Sequence, residues 1–284
     1  DTESNDAEKR LILSNTSNIA MAVNGLSKMM STQYLSSQGM NGEGAILTLY
    51  GNYHGNDFQK CDLTGWVQMT NLDFVENSTS IYDYYPWYYY YKILGNANAI
   101  INNVDAATGP DNEKRFLKAQ ALTFRAYCFF RLSQVYSKRW SDSNNGASRG
   151  VVLRLDESTG NMAVSTLAET YARIYQDLDD ALALYAESKL NRDEDENYAV
   201  NADVAHAIYA RAALTREDWA VAASHAASAR ANYTLMNNGQ YVNGGFNAPN
   251  KEWIWSVYSN AQETLYFYQF FANQGSNSNA ALAR

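Results

Sequence analysis

Aromatic and hydrogen-bonding side chains are concentrated between residues 57 and 85 of this 284-residue chain. An aromatic ring offers a broad apolar face on which the C–H groups of a sugar can stack, while carboxylates, amides and amines bind the hydroxyl groups. Side chains of these types can together bind a carbohydrate. The candidate ligand-binding residues are Asp57, Gln59, Lys60, Trp66, Asn71, Tyr82, Tyr84 and Tyr85.

Several of these aromatic residues also have a purely structural interpretation. Large aromatic side chains are mostly buried in folded proteins, so Trp66 can instead pack its loop onto the core. Further along, Trp87, Tyr90 and Tyr91 are predicted to be core residues of a helix. Ligand contacts are therefore expected from the exposed start of that helix, residues 82–85, and from the loop before it.

Other chemistries find little support in the sequence. The formal net charge of −8 argues against nucleic-acid binding, which depends on Lys and Arg, and no basic run offers a patch to an anionic membrane. The cluster of His54, Asp57, Cys61 and Asp62 lacks the spacing of a metal site. The stretch NNGQYVNGGFN lacks the Lys of a phosphate loop, and no nucleophile elbow is present. The sequence thus predicts no enzyme, no cofactor and no metal.

The chain also lacks a run of about 18 apolar residues, so no membrane span is predicted. Its polar start, DTESNDAEKR, resembles a mature or trimmed end, and any lipid anchor is expected upstream of this chain.

Helical periodicity runs through most of the sequence. Apolar residues at steps of three and four place Tyr90, Leu94, Ala97 and Ile101 on one face of a helix. A following helix is apolar nearly all round, which predicts that it is buried among others. Predicted helices cover residues 7–33, 82–104, 111–138, 201–215 and 218–232, with a shorter apolar stretch at 42–53 and a final short helix at 262–272.

Capping residues and loops mark the boundaries of these helices. Asp111 and Asp218 are predicted N-caps, and Ser165 or Thr166 caps one further helix. Residues 54–79 and 237–250 are predicted to be loops because they have no clear period and contain Gly and Asn. The predicted extended pieces are Val151–Leu155 and Glu252–Tyr258.

The helices are expected to stack as pairs. Two successive pairs of predicted helices have lengths and Ala-rich contacts typical of tetratricopeptide-type stacking. The pairs are 82–104 with 111–138, and 201–215 with 218–232. We predict a mainly α fold of right-handed stacked helix pairs, with long loops and little strand. It forms a single domain over 1–284: N-terminal helices and loop (1–79), core helix pairs (80–235), then a loop, short strand and helix (236–284).

The aromatic helix also carries a family resemblance. YYPWYYYYKILGNANAIINNV resembles the signature helix of the SusD/RagB nutrient-binding proteins, where Trp, Tyr and an Ala-Asn pair recur, here Trp87, Tyr91, Ala97 and Asn98. Later stretches are similar to the family in the same order, over roughly residues 1–260. They are EKRFLKAQALTFRAYCFFRLSQVYS, RGVVLRL, ETYARIYQDLDDALAL, VNADVAHAIYARAALTREDWAVAASHA and EWIWSVY.

The resemblance implies a location and a partner. Members of the family are lipid-anchored on the outer face of the outer membrane of Bacteroidetes-type bacteria. They bind oligosaccharides, without catalysis, and deliver them to a SusC-like TonB-dependent transporter. The family is longer, so this chain is expected to be its helical scaffold with a missing C-terminal part.

Two alternatives remain open from the residues alone. One is the same fold binding peptides or another nutrient, which a deep polar groove would favour. The other is a helical-repeat scaffold for protein partners. An exposed aromatic platform would instead favour a glycan.

Overall fold

The computed structural model describes residues 10–32, 42–51, 58–60, 77–257 and 281–283. Nearly all regular structure in these ranges is helical, which confirms the prediction of a mainly α fold. The helices are α1 (Thr16–Met29), α2 (Gly42–Leu49), α3 (Ile81–Asn103), α4 (Asp111–Tyr136), α5 (Leu167–Ser188), α6 (Ala202–Thr215), α7 (Trp219–Arg230) and α8 (Asn238–Val242). Single 3-10 turns follow at Val104–Ala106 and Trp140–Asp142, and two short strands, β1 (Phe58–Lys60) and β2 (Ala281–Ala283), pair antiparallel.

The described residues divide into two compact units. Unit 1 contains residues 10–27 and 91–257. Unit 2 contains residues 28–32, 42–51, 58–60, 77–90 and 281–283. The division falls within α1 and within α3, so the aromatic helix contributes its first half to unit 2 and its second half to unit 1.

Helices α4 and α5 pack antiparallel in unit 1. Late in α5, the ring of Tyr185 lies 5.6 Å from that of Phe116, and its hydroxyl lies 3.0 Å from the Thr123 hydroxyl in the first half of α4. Just beyond the end of α4, the ring of Trp140 lies 5.7 Å from that of Tyr171, near the start of α5. Residues late in α4 thus lie beside residues early in α5, as in an antiparallel pair. Because α4 is covered on most sides, an apolar pattern that runs all round it is what burial requires.

Helices α6 and α7 form a second antiparallel pair, as predicted. The Tyr209 ring stacks on His225 with centroids 3.8 Å apart, and the Nδ1 atoms of His206 and His225 are 2.8 Å apart. The amide of Asn232, just after α7, donates to Asp203 at the start of α6. Tyr175 of α5 packs against Tyr209 at 4.8 Å, which joins this pair to the first.

A buried polar network crosses the apolar core of unit 1. Arg125 of α4 donates to both carboxylate oxygens of Asp177, at 2.8 Å and 2.7 Å, and Arg173 donates to the same carboxylate at 2.9 Å. The Asn98 side chain accepts from Arg125 at 3.1 Å and donates to the Arg154 carbonyl at 3.0 Å. Asn98, part of the signature pair, therefore fixes the segment after α4 to the core.

Four helix starts can be compared with their predictions. The predicted helix 7–33 is interrupted, because residues 10–12 are helical but residues 13–15 are not, and α1 begins at Thr16, where the Asn15 side chain accepts from the Asn18 amide at 2.9 Å. Asp218 is the N-cap of α7, as predicted. Asp111 is the first residue of α4 and Pro110 occupies the N-cap, so that assignment is wrong. Thr166 caps α5 through a reciprocal capping box with Glu169.

Both predicted loops contain regular structure. Strand β1 lies within the predicted loop 54–79, and α8 lies within 237–250. The strand predicted at 252–258 is wrong over 252–257, which forms turns and irregular backbone. The short helix predicted at 262–272 lies outside the described residues. Among the helices that are described, none is long and apolar enough to span a bilayer.

Candidate functional site

The first half of α3 carries a dense group of aromatic residues in unit 2. Its start is fixed by Ser80, whose hydroxyl oxygen accepts from the Tyr82 amide at 3.3 Å and whose carbonyl accepts from the Asp83 amide at 3.0 Å. Pro86 lies inside the helix, near this start, and lacks the N–H that would bond to the Tyr82 carbonyl. The helix continues past it to Asn103.

One face of this half-helix is locked into unit 2 by three buried tyrosines. The Tyr89 hydroxyl donates to the Met29 carbonyl at 2.8 Å, and the Tyr90 hydroxyl donates to a carboxylate oxygen of Glu43 at 2.7 Å. The Tyr85 hydroxyl lies 3.4 Å from the Gly42 carbonyl. The rings also contact one another, with centroids 5.6 Å apart for Tyr85–Tyr89 and 5.4 Å apart for Tyr89–Tyr90. These bonds and contacts fix the rotation of α3 about its own axis.

The other face presents aromatic rings to solvent. Tyr84 and Tyr88 are 41% and 37% exposed. Residues four apart lie on the same side of a helix, about 6 Å apart along its axis, so the two rings form a ridge. We call Tyr84 and Tyr88 the α3 ridge. The half-buried residues Tyr82, Asp83 and Trp87 adjoin it along the helix.

This arrangement suits contact with an uncharged ligand that has both apolar and hydroxyl-bearing faces. A tyrosine ring provides the apolar face and its hydroxyl both donates and accepts hydrogen bonds. Burial raises the pKa of Tyr82 above its ordinary value of 10.0, so this phenol keeps its proton at neutral pH. Because the opposite face of the helix is locked, little conformational freedom of the backbone is lost on binding.

The structure places the predicted site residues unequally. Tyr84 is exposed and Tyr82 is half-buried, but Tyr85 is fully buried, so its expected exposure is wrong. The reason is the helical turn, since one step of about 100° carries residue 85 from the exposed face to the packed one. Gln59 and Lys60 lie in β1, opposite Leu282 and Ala281. Asp57, Trp66 and Asn71 lie outside the described residues.

The expected core positions on α3 are partly confirmed. Tyr90 is fully buried, whereas Trp87 and Tyr91 are half-buried. In unit 1, the Tyr91 hydroxyl donates to the Val152 carbonyl at 2.6 Å, and burial raises the pKa of this phenol. The exposed ring of Tyr88 was not a predicted site residue. The signal in the sequence that could have identified Tyr88 is its spacing of four residues from Tyr84, which places both rings on one side of the helix.

Metal chemistry has no support in the part of the chain that is described. No group of three or more His, Cys, Asp and Glu side chains is placed there so that it could hold an ion. The arrangement at the α3 ridge is one of contact and hydrogen bonding.

Several solved structures of SusD-like proteins have the same fold as this chain. A SusD-like carbohydrate-binding protein from Bacteroides vulgatus is 24% identical with a TM-score of 0.71, over 85% of this chain and 50% of its own. A SusD superfamily protein from Bacteroides thetaiotaomicron is 20% identical with a TM-score of 0.73, over 88% of this chain and 54% of its own. A laminarin-binding SusD-like protein is 16% identical with a TM-score of 0.62, over 84% and 50%. At these identities the likeness establishes the fold alone.

The chain thus spans about half the length of these structures. No curated protein matches it. The model of the SusD-like family described as "Starch-binding associating with outer membrane" matches residues 10–214, well over half of the chain. Because the family model matches most of the chain, including the aromatic helix α3 and the helices α4 and α5 that follow it, this chain belongs to the SusD-like family.

Proposed function

We propose that this protein binds a neutral oligosaccharide, without catalysis, through the α3 ridge. The observation that carries the proposal is the exposure of Tyr84 and Tyr88 on a helix whose opposite face is locked by Tyr85, Tyr89 and Tyr90. An exposed aromatic platform was the feature expected of a glycan-binding member of this fold. The family description and the carbohydrate-binding names of several relatives support the same ligand class.

The proposal extends to location and partner. We infer that the chain acts at the outer membrane, through a lipid anchor that lies outside it, and delivers its ligand to a SusC-like TonB-dependent transporter. The support is the family description, which includes association with the outer membrane. The predicted contributions of Asp57, Gln59, Lys60, Trp66 and Asn71 stay part of this proposal as further ligand contacts from the segment before α3.

Native gel electrophoresis in the presence of amylopectin or laminarin tests the ligand class. The double variant Tyr84→Ala/Tyr88→Ala is compared with the natural chain in each polysaccharide. We expect retardation of the natural chain and an affinity at least about five-fold weaker in the variant, since two rings at about 0.5 kcal/mol or more each contribute about 1 kcal/mol or more. Trp66→Ala tests the predicted loop contact in the same gels.

A matched control comes from another exposed aromatic residue. Trp219 at the start of α7 is 62% exposed and lies in unit 1, so Trp219→Ala removes a ring that is more exposed than either ring of the α3 ridge and belongs to another helix. We expect it to leave retardation unchanged. Equal losses in the Trp219 and ridge variants, or a ridge variant that binds like the natural chain, would overturn the assignment of the ridge. An absence of retardation by every neutral polysaccharide would overturn the ligand class.

A further inference from the structure

A second group of exposed apolar side chains lies in unit 1, around the short helix α8. Tyr241 and Phe246 are 59% and 62% exposed, and Val242 and Leu235 are also exposed. The two aromatic rings meet edge to face, with centroids 5.4 Å apart. Clustered apolar side chains on a surface usually mark a site of interaction, whereas single exposed ones are ordinary. We call Tyr241 and Phe246 the α8 platform.

The backbone under the α8 platform is held in one conformation. Asn237 and Gln240 form a reciprocal capping box at the start of α8. At its end, the Gly245 amide donates to the Gln240 carbonyl at 2.8 Å, and Asn250 donates to the Gly245 carbonyl at 2.8 Å. A Cβ atom at Gly245 would lie only 2.7 Å from the Gln240 carbonyl oxygen and would also strike Met236. Glycine is therefore required for this turn, which sets the spacing of the two rings.

Two exposed amide side chains close to Tyr241 in the sequence each have one end fixed by a backbone bond. The side-chain oxygen of Gln240 accepts from the Asn237 backbone amide at 3.1 Å. The side-chain amino group of Gln240 has no partner among the described residues. The Asn243 amino group donates to the Gly239 carbonyl at 2.8 Å, and its own side-chain oxygen is likewise without a described partner. Both amides are thus oriented by bonds to the backbone, and they lie one and two residues from Tyr241 in the sequence. Such preorganisation lowers the entropic cost of binding a ligand.

The segment that carries the α8 platform is itself uncharged. Residues 231–250 contain no Asp, Glu, Lys, Arg or His, although the chain as a whole has a formal net charge of −8. They contain six Asn and one Gln. Apolar rings, oriented amides and the absence of charge fit a neutral polyhydroxylated ligand. Lys251 and Glu252 follow this segment directly, and the Glu252 carboxylate already accepts from the Met236 backbone amide at 2.7 Å.

From these observations we propose that the α8 platform is a second contact site for a neutral polysaccharide. Tyr241 and Phe246 supply the apolar surface, and Gln240 and Asn243 bind hydroxyl groups. The inference rests on the proposed function, because it assigns the same ligand class to another surface. It predicts that long polymers are bound at two places on the chain and short oligosaccharides at each place separately.

Four proteins compared in amylopectin and laminarin gels separate the two sites. They are the natural chain, Tyr84→Ala/Tyr88→Ala, Tyr241→Ala/Phe246→Ala and the variant with all four changes. We expect each double variant to lose about five-fold in affinity and the quadruple variant to lose retardation altogether. All four substituted side chains are exposed or, for Tyr88, at the edge of exposure, so circular dichroism should show unchanged helix content.

The outcomes distinguish this inference from the proposed function. Loss in the Tyr84/Tyr88 variant, together with natural behaviour of the Tyr241/Phe246 variant, would overturn the second site and leave the first. The reverse result would support the α8 platform and overturn the α3 ridge. If the Tyr241/Phe246 variant changes only the molecular mass in size-exclusion chromatography, the platform contacts protein and the inference is wrong. Gln240→Ala tests the role of the amide without removing a ring.

Discussion

The guanidinium of Arg125 forms a bidentate ion pair with the carboxylate of Asp177 in the interior of unit 1, and both side chains are buried. Removing one member of a buried ion pair leaves the other charge without compensation, which costs about 3–5 kcal/mol. We expect Asp177→Asn to lower the free energy of unfolding by about that amount. Urea denaturation followed by circular dichroism at 222 nm would measure it.

An exposed ion pair on the same helix provides the control. Lys118 of α4 pairs with Asp105, and the carboxylate is 69% exposed. Asp105→Asn should change the free energy of unfolding by no more than about 0.5 kcal/mol, because solvent screens such pairs. Replacing the buried pair by Arg125→Met/Asp177→Leu should cost less than Asp177→Asn alone. Similar losses for the Asp105 and Asp177 variants would contradict the role assigned to the buried pair.

The start of α5 gives a second prediction, on local stability. The Thr166 hydroxyl accepts from the Glu169 amide at 3.1 Å, while the Glu169 carboxylate accepts from the Thr166 amide at 2.8 Å. Thr166→Ala removes the cap and should lower the free energy of unfolding by about 1 kcal/mol. Ser165→Ala changes the neighbouring residue, which contributes backbone bonds to Val151 and Gly150, and should have little effect. A larger loss at Ser165 than at Thr166 would refute the capping assignment.

The histidine pair predicts a pH dependence. Burial lowers the pKa of both His206 and His225 below the ordinary value of 6.5, and the charge of His225 lowers that of His206 further. The carboxylates of Asp203 and Asp179 act in the opposite direction. Since the unfolded chain takes up protons first, the stability from the neutral pair is present above pH 6.5 and is lost as the pH falls through the lowered values.

Thermal unfolding at several pH values tests this dependence. We expect the Tm of the natural chain to fall between about pH 7 and about pH 5, and His225→Gln to flatten that fall because only His206 of the pair then titrates. His54→Gln, which removes the remaining histidine, serves as the control. An unchanged pH profile in the His225 variant would show that the pair does not titrate with folding.

Local sequence rules predicted those parts of the fold that depend on near neighbours. The spacing of apolar residues located α3, and the capping residues Ser165 or Thr166 located the start of α5, because both signals act within one or two turns of helix. Arg125 did not follow the apolar pattern of α4. Its burial depends on Asp177, far away in sequence, and periodicity along a single helix carries no information on such a partner.

The candidate site was only partly predictable for the same reason. Tyr84 and Tyr85 are adjacent and chemically identical, so composition cannot separate them, yet one is exposed and the other is fully buried. Which face of α3 is buried depends on Gly42, Glu43 and Met29, which accept hydrogen bonds from the tyrosines of the inner face. At the α8 platform, the Gly- and Asn-rich composition predicted a plain loop. The ring pair depends on a short helix and a glycine turn that composition did not indicate.

The separation of the two faces of α3 has a consequence for how the protein can change over time. Positions 85, 89 and 90 carry the attachment of the helix, so substitutions there alter folding. Positions 84 and 88 face outward and take no part in these three tyrosine hydrogen bonds. Under the proposed function, a lineage can therefore vary the ligand-facing side chains while the hydrogen bonds of the inner face are inherited intact.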